Sequence, residues 1–361
     1  MRYLVVTTYP PTRCGIGAYA SQSVEKIRNE GHFVDIMSPD NEGEVDFKCC
    51  LQGSFKLLRL LKLGLFYDRI IIQYHPAFFF KAYENFRNKI ANFATHISFI
   101  ILFLIIRRID IVCHEIYYYP ANYIGLVNYI AHKIMWFMAP RIIFHTQKEI
   151  ESFKKNIPSI FSSKKIILQK HNKDYHKYRD VTREDARDEL GIPLDVKIFL
   201  CIGFIQPHKG FDSAIKAFNS ANPTNSKLYI VGSLRLVYNE TLNYIRLLRY
   251  LASQNPNVVL VEQFVSDQQF DTWISACDYV VVPYREIWSS AVVGRAKLFG
   301  KEVIAADTGG LSDQIDGQDL LFTNDVELEV LIRMLSEPTI CNNADVPSLI
   351  AKGNDQNTLG L

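Results

Sequence analysis

The sequence predicts an α/β fold in two domains, each a parallel sheet covered by helices on both faces. Three observations carry this. The chain has 361 residues, too many for one ordinary core and enough for two domains of ~150–180 residues. Its 48% hydrophobic content against 22% charged fills globular interiors and excludes a disordered or collagen-like chain. Short continuous runs of β-branched residues alternate with helical stretches in both halves, the pattern of parallel strands buried on both faces.

In the first half, residues 3–8 read as a strand, 18–30 as a helix ended by Gly31, and 33–37 as a second strand. Apolar runs follow at 69–73, 109–113 and 141–144, with helical stretches between them. In the second half the runs are 197–202, 227–231, 258–261, 279–282 and 303–305, separated by helices at 211–219, 240–253, 267–276 and 291–299. The series join at 170–193, which is polar and charged as a linker crossing a cleft should be. This gives two Rossmann-like domains, 1–175 and 176–335. The remaining 336–361, rich in Asn, Asp and Gly, is expected to be a loosely ordered tail. Ligands of such sheets bind outside the carboxyl ends of the strands; with two domains facing each other, those ends would line one cleft.

The net charge of +2 hides an asymmetry: residues 1–180 carry 25 Lys and Arg against 15 Asp and Glu, and residues 181–361 carry 15 against 23. Seven scattered cysteines without C-x-x-C or Cys/His spacing read as reduced thiols of a cytosolic protein rather than disulfides or a metal site. The opening residues read as a strand, and no signal-peptide pattern is visible. The stretch 90–106 is mostly apolar but is interrupted by Asn92, Thr95, His96 and Ser98. A spanning helix wants ~20 apolar residues, so a buried helix or a monotopic contact is expected.

The first strand leads into a loop and then Gly15 and Gly17, where backbone N–H groups opening a helix suit an anion. Gly15-x-Gly17-x-x-Ala20, with Asp35 further on, matches the dinucleotide fingerprint. That fingerprint places its first glycine directly after the strand, and here a six-residue insert with two prolines intervenes. A dinucleotide site, a glycine loop facing another ligand and plain helix-start chemistry all stay open. His114, followed by Glu115, ends the strand at 109–113 and is placed to reach a ligand, or else is a capping or core histidine. His75 ends the preceding strand, although Pro76 also fits a turn. His145 precedes Thr146 and Glu149, a capping-box pair that accounts for that site structurally.

Two features dominate the second half. Lys209-Gly210 closes a strand–turn–helix start at 199–210, where a flexible ammonium beside backbone donors suits a diphosphate; a solvated loop lysine is the plain alternative. At 282–296 a strand ends at Pro283, and Ser289 or Ser290 starts a helix as N-cap. The free N–H groups of Ala291 and Val292 then form an anion pocket. Arg285 adds charge-assisted bonds to the same phosphate or serves as a surface ion-pair partner. The Gly309-Gly310 turn follows another strand end.

Five motifs in order resemble a known family: Pro-Pro-x-x-Cys-Gly-Ile-Gly-x-Tyr (10–19), Gly-x-x-x-x-x-Lys-Gly (203–210), Phe-Val-Ser-Asp (264–267), Pro-Tyr-Arg…Ser-Ser…Ala (283–296) and Gly-Lys-x-Val-Ile-Ala…Gly-Gly-Leu (300–311). Over residues 3–335 the chain resembles the retaining GT-B glycosyltransferases of family 4. The resemblance implies a C-terminal domain that binds a nucleotide-diphosphate sugar and an N-terminal acceptor domain. Lys209 would hold the diphosphate, Gly15 and Gly17 would approach the donor from across the cleft, and His114 would lie near the reacting centre. Arg285, Ser289, Ser290, Ala291 and Val292 would complete the donor side, with Glu115 and His75 on the acceptor side. No cofactor or metal is implied, because the leaving diphosphate can help deprotonate the acceptor hydroxyl. Two departures stand out. Phe204 occupies a position where the family commonly has Arg, and the family's paired glutamates fall at Ile287 and Arg295, with Glu286 one residue off.

The expected function is transfer of a hexose from a GDP- or UDP-sugar to a glycan or lipid-linked acceptor in bacterial surface polysaccharide synthesis, in the cytoplasm or at the inner face of the membrane. A basic acceptor domain suits anionic lipid, at ~1 kcal/mol per well-placed Lys or Arg, with Phe78-Phe79-Phe80-Lys81 and the segment ending Arg107-Arg108 touching it. Complementarity between the two domains would use the same charge. Nucleic acid is not expected, since no basic helix or base-stacking module accompanies the charge. The rivals are a catalytically degenerate scaffold of the same fold and a nucleotide-sugar epimerase.

Overall fold

The computed structural model describes residues 1–39, 43–53, 55–157, 165–170, 175–235 and 237–337. The tail expected at 336–361 therefore lies almost wholly outside the described residues. The chain divides into two compact units, Met1–Tyr175 and His176–Leu361.

The first unit is built on seven strands: β1 (Arg2–Val6), β2 (Phe33–Ser38), β3 (Phe47–Lys48), β4 (Arg69–Tyr74), β5 (Ile109–Cys113), β6 (Arg141–Phe144) and β7 (Ile166–Leu168). All pairings are parallel, in the order β3-β2-β1-β4-β5-β6-β7. The sheet winds outward both ways from β1, so right-handed crossovers put the helices after β4 and β5 on one face and those after β1 on the other. The alternation of strand side chains follows. Leu4 and Val6 pack with Ile72, Tyr74, Phe99 and Trp136, whereas Val5 packs with Val24, Val34 and Ile36 on the opposite face.

The second unit repeats the plan with β8 (Lys197–Ile202), β9 (Ser226–Gly232), β10 (Val258–Glu262), β11 (Tyr279–Val282), β12 (Glu302–Ala306) and β13 (Leu320–Phe322), ordered β10-β9-β8-β11-β12-β13. Strand order reverses between β1 and β4, and between β8 and β11. Each reversal leaves a crevice outside the carboxyl ends, where ligands of open α/β sheets bind.

Two expectations need correction. Residues 170–193 are not all linker, because Arg183–Leu190 is a helix, N-capped by Thr182 and closed by Gly191 in the left-handed conformation. Its buried Arg187 donates to the carbonyls of Ala276, Pro193, Leu194 and Val196 and to Asp278, which ties the helix into the second unit. The aromatic run expected to meet lipid instead packs inward: Phe79 and Phe80 are buried. The segment ending Arg107-Arg108 stays at the surface: both arginines are exposed, while also donating to the carbonyls of Phe103 and Gly64.

The apolar stretch of the first half is the helix Phe86–Ile105, long and apolar enough by length and composition to cross a membrane. The polar residues that interrupted it face inward. Asn92 makes a two-way bridge to the backbone of Lys81, and Thr95 and Ser98 bond back to the carbonyls of Ala91 and Ala94.

Candidate active site

In the second unit, the loops that follow β8 and β11 meet at the strand-order reversal and are stitched together. Gly210 has φ +63°, and a Cβ there would lie 1.9 Å from the carbonyl oxygen of Pro283. Only glycine permits both that conformation and that approach. Gly232 meets the Gly203 carbonyl in the same way, at 1.8 Å. The Arg285 N–H donates to the carbonyl of His208 at 2.8 Å. Its guanidinium donates to the Pro207 carbonyl at 2.6 Å and to both Asp212 carboxylate oxygens at 2.8 Å. Arg285 thus fastens one loop to the other, and its guanidinium is committed to buried Asp212 rather than held open for a phosphate. The loop after β12 joins the same assembly, since Gly310 N–H donates to the Ile287 carbonyl at 3.2 Å and Thr308 Oγ1 to the Arg285 carbonyl at 3.0 Å.

This frame presents Lys209. Its ammonium stands 3.8 Å above the centre of the Tyr284 ring, and no carboxylate among the described residues pairs with it. Burial pushes its pKa down to about 7, since desolvation disfavours the charged form. Beside it begins the helix Ala291–Leu298, capped by Ser290 without a side-chain cap bond. Gln314 clamps the cap instead, accepting from the Ser290 N–H at 2.6 Å and donating to its carbonyl at 3.2 Å. Ser290 is buried and Ser289 half-buried. Ala291 and Val292 form the first turn, where N–H groups have no intrahelical partner, and a Cβ on Gly203 would touch Val292 Cγ2 at 4.0 Å. Gly203 and this helix start are therefore neighbours, and the Tyr284 ring under Lys209 belongs to the loop that leads into the same helix.

The positions of the family's glutamates have structural roles here. The Ile287 carbonyl anchors Gly310. Arg295 points inward, over the Phe270 ring, onto Asp267 at 2.7 Å and the fully buried Asp271. Glu286 is exposed.

In the first unit, Gly17 is set by the protein itself, since a Cβ there would meet the Thr8 carbonyl oxygen at 3.0 Å; around Gly15 nothing lies within 4 Å of such an atom. At the carboxyl end of β5, His114 Nε2 lies 2.7 Å from Gln73 Oε1 of β4. Burial, then the neighbouring His145 and His75, hold its pKa well below the usual histidine value. His75 and Glu115 pair at 2.8 Å. His75 Nδ1 accepts the Ala77 N–H, so Nε2 carries the proton shared with Glu115. Thr146 and Glu149 form the expected capping box.

One grouping was not legible in the sequence. The Tyr19 ring meets those of His114 and His145 edge-on at 5.2 and 5.3 Å, and the two histidines lie 5.4 Å apart. The only available signal was that Tyr19 stands one turn past Gly15. Gln73 carried no signal, nor did Asp212 as the partner of Arg285. The dinucleotide reading loses its acid: Asp35 sits mid-strand in β2 and accepts from Arg2 at 3.3 Å and Tyr67 at 2.6 Å.

Residues 182–332 match the family described as glycosyl transferases, group 1, the segment that holds Lys209 and the helix start at Ala291. A D-inositol 3-phosphate glycosyltransferase of Xylanimonas cellulosilytica is 30% identical over 159 residues, which make up 41% of this chain and 37% of that protein. The match thus spans little more than a third of that relative's length. Among solved structures, sucrose-phosphate synthase of Thermosynechococcus elongatus superposes with a TM-score of 0.68 at 15% identity, over 94% of this chain and 90% of the other. HepE of Anabaena, in complex with UDP-glucose, gives 0.66 at 16% identity, over 92% and 89%. Two Rossmann-like parallel-sheet domains with these neighbours establish the GT-B fold, and residues 182–332 match the group 1 glycosyl transferases.

Proposed function

We propose that the protein is a retaining glycosyltransferase that moves a hexose from a nucleotide-diphosphate sugar to a glycan or lipid-linked acceptor. The observation that carries this is Lys209: a desolvated ammonium without a carboxylate partner among the described residues, held on the Tyr284 ring at the strand-order reversal of the second unit. A half-buried, partly desolvated cation in that setting calls for an anion, and a diphosphate supplies one. Ala291 and Val292 at the adjoining helix start add backbone N–H groups and the positive end of the helix dipole. The group 1 match over this unit and the UDP-glucose held by HepE support the same donor class.

In this reading the acceptor hydroxyl attacks the anomeric carbon as the bond to the diphosphate oxygen breaks. The departing diphosphate keeps the electron pair and takes the hydroxyl proton, and Lys209 offsets its growing charge. Neutral His114, oriented by Gln73, offers the acceptor or the sugar a hydrogen bond. Arg285 acts at one remove, by fixing the two loops that frame Lys209. The chemistry as proposed calls for no cofactor or metal. Synthesis of bacterial surface polysaccharide at the cytoplasmic face of the membrane is the setting we propose for it.

A second reading has a specific observation in its favour. The positions of the family's glutamates are occupied by the Ile287 carbonyl, holding Gly310, and by Arg295, buried against Asp271, as in a domain that keeps the fold and has lost the sugar. A thermal-shift panel of GDP, UDP, dTDP, ADP and their sugar conjugates separates the two. Ligand at 100-fold over its Kd adds about 2.7 kcal/mol. A shift with one nucleotide series that vanishes in Lys209→Ala supports the transferase; silence across the panel leaves the scaffold.

A further inference from the structure

The helix Phe86–Ile105 buries polar side chains beside Phe99, Leu102 and Phe103 and leaves other apolar side chains outside. Its buried side includes Asn92, Thr95, His96 and Ser98, while Phe86, Ile90, Leu104 and Ile105 are exposed. The neighbouring helix Leu126–Met138 repeats this. Leu126 is 64% exposed, Val127 60%, Ile130 48%, Ile134 43% and Phe137 40%. The two helices pack together through Asn128, which donates to the Lys89 carbonyl at 3.0 Å, and through the edge-to-face rings of His96 and His132. They connect β4 to β5 and β5 to β6, consecutive neighbours in the sheet, so both lie on one face of it and turn their outer sides the same way. The first helix alone is ~30 Å long. Leu65 and Phe66 extend the surface where the preceding helix, Arg59–Gly64, ends against Ile106.

The charge on the two helices has one sign, although the exposed Glu84 lies just before the first. Neither helix contains an acidic residue, and both carry basic ones: Arg87, Lys89 and Lys133. Lys165 stands over the exposed Phe137 ring at 5.9 Å. Apolar side chains ringed by cations match an anionic lipid surface, whose headgroups meet the cations as its acyl boundary takes the side chains. The face is not a span, since its inner side packs on β4, β5 and β6 with Phe99, Phe103 and Trp136 in the core.

We infer that the outer face of helices Phe86–Ile105 and Leu126–Met138 is a monotopic docking surface for an anionic lipid bilayer. This replaces Phe78–Phe80 as the lipid contact, and it does not depend on which reaction the protein catalyses.

The test is flotation of the full chain with vesicles of phosphatidylglycerol and phosphatidylethanolamine, with phosphatidylcholine vesicles as the neutral arm. Two variants at exposed positions on separate helices, Ile130→Glu and Leu104→Glu, are compared after circular dichroism and melting confirm that they fold. Binding to the anionic vesicles, stronger than to the neutral ones and weakened about tenfold or more by each substitution, supports the proposal. Absence of vesicle binding, or binding that neither substitution weakens, overturns it. So does a dimer by light scattering that both substitutions abolish while vesicles go unbound, which would assign the face to a second copy of the chain.

Discussion

Lys209 and Arg285 look alike in the sequence, as cations at the carboxyl ends of neighbouring strands, and the structure gives them different work. Desolvation by the surrounding protein pushes the half-buried Lys209 down to about 7, so near neutral pH the free protein holds it only partly charged. A diphosphate favours the ammonium, and binding must therefore take up a proton once the pH exceeds 7. Affinity for UDP or GDP should be flat below pH 7 and fall above it by up to about tenfold per pH unit. Calorimetry at pH 8 in two buffers of different ionisation enthalpy reads the proton directly; zero uptake, or the same uptake in Lys209→Met, would count against the assignment. Arg285 should behave as a structural residue. Arg285→Met and Asp212→Asn should each lower stability, and a double-mutant cycle should show coupling of about 1–2 kcal/mol, moderated because the Arg285 side chain is 46% exposed. Nucleotide affinity lost without any loss of stability in Arg285→Met would instead put that guanidinium on the phosphate.

At the scale of elements, what the sequence showed depended on length and on locality. The six-residue strands with continuous apolar runs, such as β4 and β8, declare themselves. The two- and three-residue strands β3, β7 and β13 are too short to show a period and exist because a neighbour supplies their ladder. Helix Arg183–Leu190 hid in a charged stretch, since what secures it is one buried arginine reaching five acceptors. Motif-borne parts of the site were legible because glycines and caps act locally. The grouping of Tyr19, His114 and His145 was not, because three elements bring it together. The inward polar face of Phe86–Ile105 has a consequence of its own. Burial lowers His96 to a pKa of about 3 and His132 to about 4, and His132 Nε2 accepts from Trp136 Nε1 at 3.2 Å, a bond only the unprotonated nitrogen can make. Both folded values lie below the unfolded one of ~6.5. The stability they protect is thus complete above pH 6.5 and is lost as pH falls toward 4 and then 3. The melting temperature should drop between pH 7 and 5, a window above most carboxylate titration. His96→Leu should flatten that drop; an unchanged slope in this variant would show that the pair does not govern it.

For the whole molecule, the near-neutral sum conceals two halves of opposite sign, 25 cations against 15 anions in residues 1–180 and 15 against 23 in residues 181–361. The anion site proposed at Lys209 lies in the acidic half, so the long-range field there opposes a nucleotide diphosphate. Affinity must come from short-range contacts: one desolvated ammonium and the N–H groups of a helix start. Such contacts are screened little by salt, whereas charges farther apart than the Debye length, ~10 Å at 0.1 M, are largely screened. The lipid face proposed in the basic half relies on surface cations, the exposed Arg87 and the half-buried Lys89, Lys133 and Lys165, and should be screened strongly. Raising salt from about 0.05 to 0.3 M should therefore weaken binding to anionic vesicles by tenfold or more, while nucleotide affinity changes by less than about threefold, since the lost attraction at Lys209 is offset by screening of the acidic surroundings. Flotation and calorimetry on one preparation measure both. A parallel fall in the two affinities would mean that the nucleotide is drawn by the basic half, and the donor site would then have to be sought near Gly15 and His114 rather than at Lys209.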